Sequence, residues 1–218
     1  MLAASLLAQV SLEHMVGDEE RAKKVLVGYV SAQLQSGLAA MEAALQLGDA
    51  ELSYRAAQNY MTVADVSRQL YCDYGDFGSL STEQNHSWRL LMQELQRDLN
   101  VTIRRKKRLP YVWGNARVQL ELLREIRGVM PVAHCSVGFR RRGEELIVSL
   151  RGANELPSEL IIAGSRHALF AAARQSSLAA IRGYILARRA NAAGVRLVAV
   201  GSAVHLHFQI FRQLKMPF

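Results

Sequence analysis

Apolar residues in the first hundred positions recur at steps of three and four, the period of helices that bury one face. The first stripe follows the acidic segment Gly17-Asp18-Glu19-Glu20 and consists of Leu26, Val30, Leu34, Leu38, Met41 and Leu45. After a break at Gly48-Asp49, the second consists of Leu52, Ala56, Asn59, Val63, Val66 and Leu70. A third begins at Ser81 and consists of Trp88, Leu91, Leu95 and Leu99. With a short helix over residues 2–14, these stripes predict an antiparallel four-helix bundle in residues 1–103.

The second half of the chain mixes helical segments with the alternating pattern that is typical of strands. In chain order, the pattern predicts a helix over residues 115–128, paired strands over 132–140 and 144–150, a short strand over 159–163, helices over 165–191 with a break near Gln175-Ser176, and strands over 195–200 and 204–211. Arg141-Arg142-Gly143 and Gly201-Ser202 supply the hairpin turns. This order predicts a small α/β sandwich in residues 104–218 and an α+β fold class for the whole chain.

Charge is divided unevenly along the chain, whose net charge is +8. Residues 1–103 hold 7 Lys and Arg against 13 Asp and Glu, whereas residues 109–218 hold 15 Lys and Arg against 6 Glu. The excess of arginine predicts contact with nucleic acid, anionic lipid or an acidic protein, and the alternative is a solvated face. The predicted basic patch consists of Arg104, Arg105, Lys106, Lys107 and Arg108 between the halves, and Arg140, Arg141 and Arg142 at a hairpin.

Several classes of protein are disfavoured by composition. No stretch approaches the roughly 20 uninterrupted apolar residues of a transmembrane helix. The apolar run over residues 1–10 lacks the basic lead of a secretory signal, so we expect a soluble, cytoplasmic protein. Cys72 and Cys135 lack metal-ligand spacing and are interpreted as buried thiols. No cofactor and no metal site are predicted.

The histidines do not form a catalytic constellation in the sequence. His205 and His207 alternate on one strand face, which is a two-ligand spacing, but no third ligand lies nearby. His14 and His86 lie on or beside predicted helices and stay open as phosphoacceptors. We therefore predict no catalytic residues and no enzymatic activity.

The run from Val16-Gly17-Asp18-Glu19 through Gly48-Asp49 to residues 55–62 (Arg-Ala-Ala-Gln-Asn-Tyr-Met-Thr) resembles histidine phosphotransfer (HPt) domains across residues 5–100. That family carries Ala-His-x-Leu-Lys-Gly in the last segment. Here Gln58 takes the place of the histidine, Met61 of the lysine and Thr62 of the glycine. A glutamine amide cannot carry a phosphoryl group, so the resemblance implies a docking surface without its acceptor. An unrelated four-helix bundle with a Gly-Asp turn is the alternative.

Helical geometry places a second stripe on the same helix, opposite the apolar one. Its members are Tyr54, Gln58, Met61, Asp65 and Arg68. A phosphoacceptor position must face outward, which agrees with position 58 in this stripe. We therefore predict that these five residues bind a protein partner.

The second half resembles, more distantly, the ATP-binding domain of sensor histidine kinases. The likeness lies in the helix over residues 115–127 with its following strands, and in Leu178-Ala179-Ala180-Ile181-Arg182 with residues 194–211. The paired asparagines that hold Mg²⁺ are missing, and Arg151-Gly152-Ala153-Asn154-Glu155 stands where Asp-x-Gly-x-Gly is expected. No glycine-rich lid precedes Leu178. The resemblance implies a degenerate domain that does not bind ATP, in the manner of bacterial phosphorelay proteins.

These observations predict a non-catalytic signalling adaptor for an acidic protein, such as a response-regulator receiver domain or a sensor kinase. A homodimer is left open. The alternative is a basic protein of nucleic acid or membrane surfaces whose helical half mediates assembly. A second alternative is a histidine phosphotransferase that uses His14 or His86 outside the family motif.

Overall fold

The computed structural model describes the chain in segments. These are residues 2–71, 86–87, 102–103, 111–112, 114, 116–130, 136–152 and 155–210, with backbone alone for residues 2–16. Contacts divide the chain into two compact units, residues 1–72 with 167–182, and residues 73–166 with 183–218. Helices come first and a sheet with helices follows, so the predicted α+β class is confirmed. The predicted domain boundary between residues 103 and 104 stays a prediction.

A long helical hairpin dominates the first unit. Helix α1 covers Leu2–Gln46 and helix α2 covers Ala50–Tyr71. Gly48 in the turn has a φ of +68°, a conformation that suits glycine. The Asp49 carboxylate accepts hydrogen bonds from the backbone N–H groups of Glu51 (2.9 Å) and Leu52 (3.0 Å). Gly48-Asp49 therefore ends one helix and caps the next, as the sequence predicts.

The two helices pack through the side chains that face each other. Leu26 and Val30 of α1 are fully buried, and so is Val66 of α2. Gly37 allows close approach, since a Cβ there would lie 3.2 Å from Cδ2 of Tyr60. Two further helices follow in the chain, α5 over Ala168–Gln175 and α6 over Leu178–Ala192, and α5 also packs against α1.

Three expectations for the helical half are wrong. The separate short helix over residues 2–14 is part of the continuous α1. Leu38, Leu45, Leu52 and Asn59 are exposed rather than buried, because in a two-helix hairpin only facing positions are covered. The helix predicted from Ser81 is interrupted by strand β1, His86–Ser87, which pairs with strand β3, Tyr111–Val112. The remainder of that segment lies outside the described residues. None of the described helices has the length and apolar character needed to cross a bilayer.

A five-stranded sheet forms the centre of the second unit, in the order β2-β4-β5-β7-β6. The strands are β2 Thr102–Ile103, β4 Ser136–Arg142, β5 Glu145–Arg151, β6 Arg196–Val200 and β7 Ala203–Gln209. Strand β2 runs parallel to β4, and the other pairs are antiparallel. Gly143 and Gly201 begin the two hairpin turns with φ values of +59° and +57°. Both predicted hairpins are confirmed, but Arg141 and Arg142, which the sequence places in the first turn, belong to strand β4.

Alternate residues of the central strands form the core of this unit. Leu146, Val148 and Leu150 of β5 lie opposite Phe208, Leu206 and Val204 of β7, and all six are buried. Three helices complete the core: α3 over Ala116–Val129, α4 over Ser158–Ala163, and α6. Their fully buried side chains in this unit include Leu123, Ile126, Leu160, Ile162 and Ile185. The predicted helix over residues 115–128 is confirmed.

The short strand predicted over residues 159–163 is wrong, because this segment is helix α4. Pro157, with φ −55° and ψ 151°, precedes the first helical turn, where the missing N–H of proline costs nothing. Leu160 and Ala163, three residues apart, are buried, whereas Ile161 is exposed. The predicted break in the following helices is confirmed at Ser176, whose φ is 43°.

Replacing Gly183 with alanine tests the contact between α4 and α6. A Cβ at Gly183 would lie 2.5 Å from the Glu159 carbonyl oxygen and 2.9 Å from Cβ of Ile162. Alanine gains about 1 kcal/mol over glycine in an open helix, but overpacking costs about 1–3 kcal/mol. We therefore expect Gly183→Ala to lower the free energy of unfolding, measured in urea.

Gly128→Ala is the matched control, because Gly128 lies in α3 with no neighbour within 4 Å of an added Cβ. It should leave stability unchanged or raise it by up to about 1 kcal/mol. Equal stability of the two variants would contradict the packing of α6 on α4.

Candidate binding surfaces

The five side chains predicted to bind a partner lie together on the surface of α2. Tyr54 and Met61 are 65% and 70% exposed, and Gln58, Asp65 and Arg68 are exposed as well. We call these five residues the α2 stripe. Position 58 therefore faces outward, whereas the role of the stripe in binding stays a prediction.

Hydrogen bonds within the helix hold the α2 stripe in place. The amide Nε2 of Gln58 donates to the Tyr54 hydroxyl over 2.7 Å. Nη2 of Arg68 lies 2.9 Å from Oδ1 of Asp65, and Nε2 of Gln69 donates to the other oxygen over 2.7 Å. These contacts span three or four residues, the spacing at which helical side chains meet. The surface is thus ordered before any partner arrives.

The α2 stripe lacks the groups that phosphoryl transfer requires. An amide is not a nucleophile at neutral pH, and the stripe contains no histidine. Its one cation, Arg68, lies ten residues from Gln58, roughly 15 Å along the helix. Met61, one turn from Gln58, is uncharged. The stripe offers shape, apolar area and one ion pair, which are means of recognition.

Helix α1 contributes apolar residues to the same side of the hairpin. A helix turns by about 100° per residue. We take the contact between Gly37 and Tyr60 as the direction in which the two helices face each other. Around the axis of α1, Leu38 and Leu45 lie about 80–100° from this direction, to one side of it. Tyr54 and Met61 lie about 100–120° to that same side. Leu38 is 46% exposed and Leu45 is 67% exposed, so four large apolar side chains share this surface.

The sequence contains a signal that places Leu38 outside the core. Leu26, Val30, Leu34 and Leu38 are spaced by four, and each such step overshoots a full turn by about 40°. Leu38 therefore lies about 120° around the helix from Leu26. A run of residues spaced by four therefore does not stay on one face of the helix.

The second candidate surface is the sheet face that points away from the buried core. The hydroxyl Oγ of Ser149 lies 2.8 Å from Nδ1 of His205. Nδ1 of His207 lies 2.9 Å from Oε2 of Glu145 and 2.9 Å from Nη2 of Arg196. The two histidines share this face, as their alternation predicts. Within the described segments, no three His, Cys, Asp or Glu side chains form a cluster suited to a metal ion.

Electrostatics differ at the two ends of this histidine pair. The pKa of Glu145 is lowered below the usual 4.5 because its carboxylate forms a hydrogen bond with His207, and Arg196 lowers this pKa as well. Burial lowers the pKa of His205 below 6.5, and the charges of His207 and Arg151 add to this effect. The neutral form of His205 is therefore favoured in the folded protein.

Because side chains alternate along β4, the three arginines of the predicted basic patch at the hairpin do not all lie on one face of the sheet. Arg140 and Arg142 lie on the open face of β4, whereas Arg141 belongs to the opposite face and its Nε donates to the Gly143 carbonyl over 3.3 Å. All three side chains are exposed. The segment from Arg104 to Arg108 lies outside the described residues.

The other residues singled out in the sequence cannot be placed in a site. Cys72 and Cys135 lie outside the described residues, as does the side chain of His14. His86 is described by its backbone alone, in β1.

A shallow groove of about 50 Å³ lies between α3 and α6. Its lining consists of Val118, Glu121, Leu122, Glu125, Arg189 and Ala192. Nη1 of Arg189 and Oε1 of Glu125 are 2.7 Å apart, so an ion pair spans the groove. Sites for nucleotide-sized ligands usually enclose about 300 Å³ or more. This groove is therefore much smaller than such a site.

Comparison with known proteins finds no matching family and no similar curated protein. Solved structures give matches at low identity. Histidine kinase AdeS of Acinetobacter baumannii has a TM-score of 0.47 at 8% identity, covering 81% of this chain and 95% of that one. A bacterial phosphotransferase has a TM-score of 0.34 at 10% identity, covering 87% and 96%. Full-length ShkA in complex with AMPPNP has a TM-score of 0.41 at 11% identity, covering 91% and 45%.

The lowered pKa of His205 predicts a pH dependence of stability. The unfolded chain binds a proton on this imidazole near pH 6.5, whereas the folded protein binds it only at lower pH. The stabilising contribution is therefore complete above the unfolded pKa and is lost as the pH falls below it. His205→Gln removes this titration. Between about pH 7.5 and about pH 5.5, wild-type protein should lose more unfolding free energy than the variant.

Urea unfolding of both proteins across this range is the measurement. The carboxyl of Glu145 titrates below this window, because its pKa is lowered from 4.5. Parallel pH profiles for the two proteins would show that His205 takes up its proton equally in the folded and unfolded states.

Proposed function

We propose that this chain is a non-catalytic adaptor in a two-component or phosphorelay pathway and binds its protein partner through the α2 stripe. The observation that carries the proposal is the outward position of Gln58 on an ordered, exposed helix face. In the HPt pattern that the sequence resembles, the phosphoacceptor histidine occupies this place. The surface for docking is present, while an amide replaces the acceptor.

The composition of the surface supports binding rather than a solvated role. Tyrosine, methionine and arginine are enriched at protein interfaces, and tyrosine and arginine often dominate their binding energy. Here Tyr54, Met61 and Arg68 lie along one helix, with Leu38 and Leu45 of α1 beside them. Contiguous exposed apolar residues on a globular protein typically mark an interaction site.

Order in the free protein favours affinity. Fixing a flexible side chain on binding costs about 0.5–1.5 kcal/mol. Gln58 and Tyr54 are already joined by a hydrogen bond, as are Arg68 and Asp65. Part of this cost is therefore met before the partner binds.

The alternative, a basic protein that binds nucleic acid, rests on the exposed Arg140 and Arg142 and on the segment from Arg104 to Arg108. Binding to phosphates weakens steeply as salt rises, by a slope that reflects the number of contacts. A protein partner held by Tyr54 and Met61 should show a much weaker salt dependence. A salt titration of binding therefore distinguishes the two functions.

Charge reversal on the α2 stripe tests the docking role. Arg68→Glu should weaken binding to a purified cognate receiver domain or kinase fragment by at least about tenfold, because it leaves Asp65 facing a second carboxylate. Exposed substitutions usually change stability by about 0.5 kcal/mol or less, so the melting temperature should barely move. Calorimetric titration and thermal unfolding measure the two effects.

Arg55→Glu is the matched control. Arg55 also lies exposed on α2 and pairs with a carboxylate one turn earlier, Glu51, but it is outside the stripe. It should leave binding intact. Equal loss in both variants would indicate attraction by net charge alone, and a large loss of stability with Arg68→Glu would show that the stripe is a structural contact.

Restoring the phosphoacceptor tests the proposal that the wild-type chain does not accept a phosphoryl group. Gln58→His with Met61→Lys and Thr62→Gly supplies an imidazole, a neighbouring cation and space for a phosphoryl group. Incubation with a phosphorylated receiver domain that binds this chain should label the triple variant on residue 58. Wild-type protein should stay unlabelled.

A variant with Gln58→Ala, Met61→Lys and Thr62→Gly separates the acceptor from its surroundings and should not be labelled. Glycine within the helix costs about 1 kcal/mol in both variants, so they are matched in stability. Labelling of wild-type protein at His14 or His86 would overturn the adaptor and make the chain a histidine phosphotransferase.

A further inference from the structure

The open face of the sheet has an order that only the strand register reveals. Cross-strand partners align its side chains in rows. One row consists of Arg196, His207, Ile147 and Arg140, the next of Val198, His205, Ser149 and Gly138, and the third of Val200, Ala203, Arg151 and Ser136. Arg142 and Glu145 lie at the hairpin end of the first row.

Positive charge on this face is mostly unpaired. The face carries four arginines (140, 142, 151 and 196) and a single carboxylate, Glu145. That carboxylate contacts Arg196 over 3.1 Å and His207 over 2.9 Å. Among the described residues, Arg140, Arg142 and Arg151 form no ion pair. Arg140 and Arg151 are therefore exposed guanidinium groups without an acidic cross-strand partner, whereas Arg142 lies opposite Glu145.

The remaining side chains of the face are small or apolar. Ile147 and Val198, both half-buried, lie between the arginines, and Val200 at the edge is 59% exposed. At Gly138 on β4, an added Cβ would meet nothing within 4 Å. Charged residues around an apolar centre are the usual arrangement of a protein interface.

The same composition disfavours single-stranded nucleic acid. Such strands bind through bases that stack on aromatic rings, and the described part of this face has no Phe, Tyr or Trp. Its two imidazoles are engaged with Ser149, Glu145 and Arg196, and the side chain of His207 is only 13% exposed. The exposed Val200 and the half-buried Ile147 and Val198 would contribute nothing to a contact with phosphates.

We propose that this open face binds a folded protein that presents a cluster of Asp and Glu side chains beside an apolar patch. Arginine pairs with carboxylates through two parallel hydrogen bonds, which gives both attraction and orientation. Arg140 and Arg151 lie on the paired strands β4 and β5, and the side chains of Ser149 and His205, in the row between theirs, are joined by a hydrogen bond. This surface is distinct from the α2 stripe and stands whether or not the stripe binds a partner.

Synthetic acidic polymers test the chemistry without a known partner. The probes are a random copolymer of glutamate and tyrosine (about 4:1), polyglutamate, and duplex DNA, each titrated against the full chain at low salt. The test variant is Arg140→Glu with Arg151→Glu. The control variant is Arg174→Glu with Arg182→Glu, the same charge change at exposed helical positions. Both retain the segment from Arg104 to Arg108, so its contribution cancels.

The test variant should bind the copolymer at least about tenfold more weakly than the control variant does. Val198→Thr with Val200→Thr preserves shape and strand propensity while removing apolar surface. It should weaken binding of the copolymer and leave binding of polyglutamate unchanged. Circular dichroism confirms folding, and Arg140→Gln with Arg151→Gln replaces the reversal variant if that one unfolds.

Three results would overturn the proposal. Equal losses for the two charge-reversal variants would show that net charge alone attracts the polymers. A loss confined to duplex DNA would assign the face to nucleic acid. Unchanged copolymer binding after the valine replacements would remove the apolar contribution on which the choice of a protein partner rests.

Discussion

The register between β5 and β7 is the constraint on which the second unit depends. It sets Leu146, Val148 and Leu150 against Phe208, Leu206 and Val204 in the core. Burying one such side chain contributes about 1.5–3 kcal/mol, so six of them outweigh any surface contact of about 0–1 kcal/mol. A shift of either strand by one residue would turn its three core side chains towards solvent. The open face is a consequence of this register, since its residues are the alternate positions.

Local patterns made much of the fold predictable. The hairpins followed from alternation and from Gly143 and Gly201, and the turn between α1 and α2 followed from Gly48-Asp49. Segment 159–163 was assigned to the wrong class because Leu-Ile-Ile is compatible with a strand, while Pro157 starts a helix there. Short apolar runs do not distinguish the two, and packing against neighbours decides.

The two candidate surfaces differ in what the sequence could reveal. The α2 stripe lies on one helix, so its exposure follows from helical period alone. The sheet face joins residues that are far apart, such as Ser149 and His205, which are 56 positions apart. The alternating pattern predicts that Ser149 and His205 both face away from the core. Only the order and register of the strands show that their side chains are in contact. Arg140 and Arg151 lie on the same face of two adjacent strands for the same reason.

Exposed apolar area is the property of the α1–α2 hairpin that would favour binding of a partner. Among the described residues, most of the exposed large apolar side chains lie on α1 and α2, including Leu38, Leu45, Tyr54 and Met61. In solution each remains hydrated, and its removal from water would release about 25 cal/mol per Å². A catalytic residue at position 58 would not change this gain. Recognition by such a surface is spread over many side chains, whereas covalent transfer chemistry depends on one nucleophilic group.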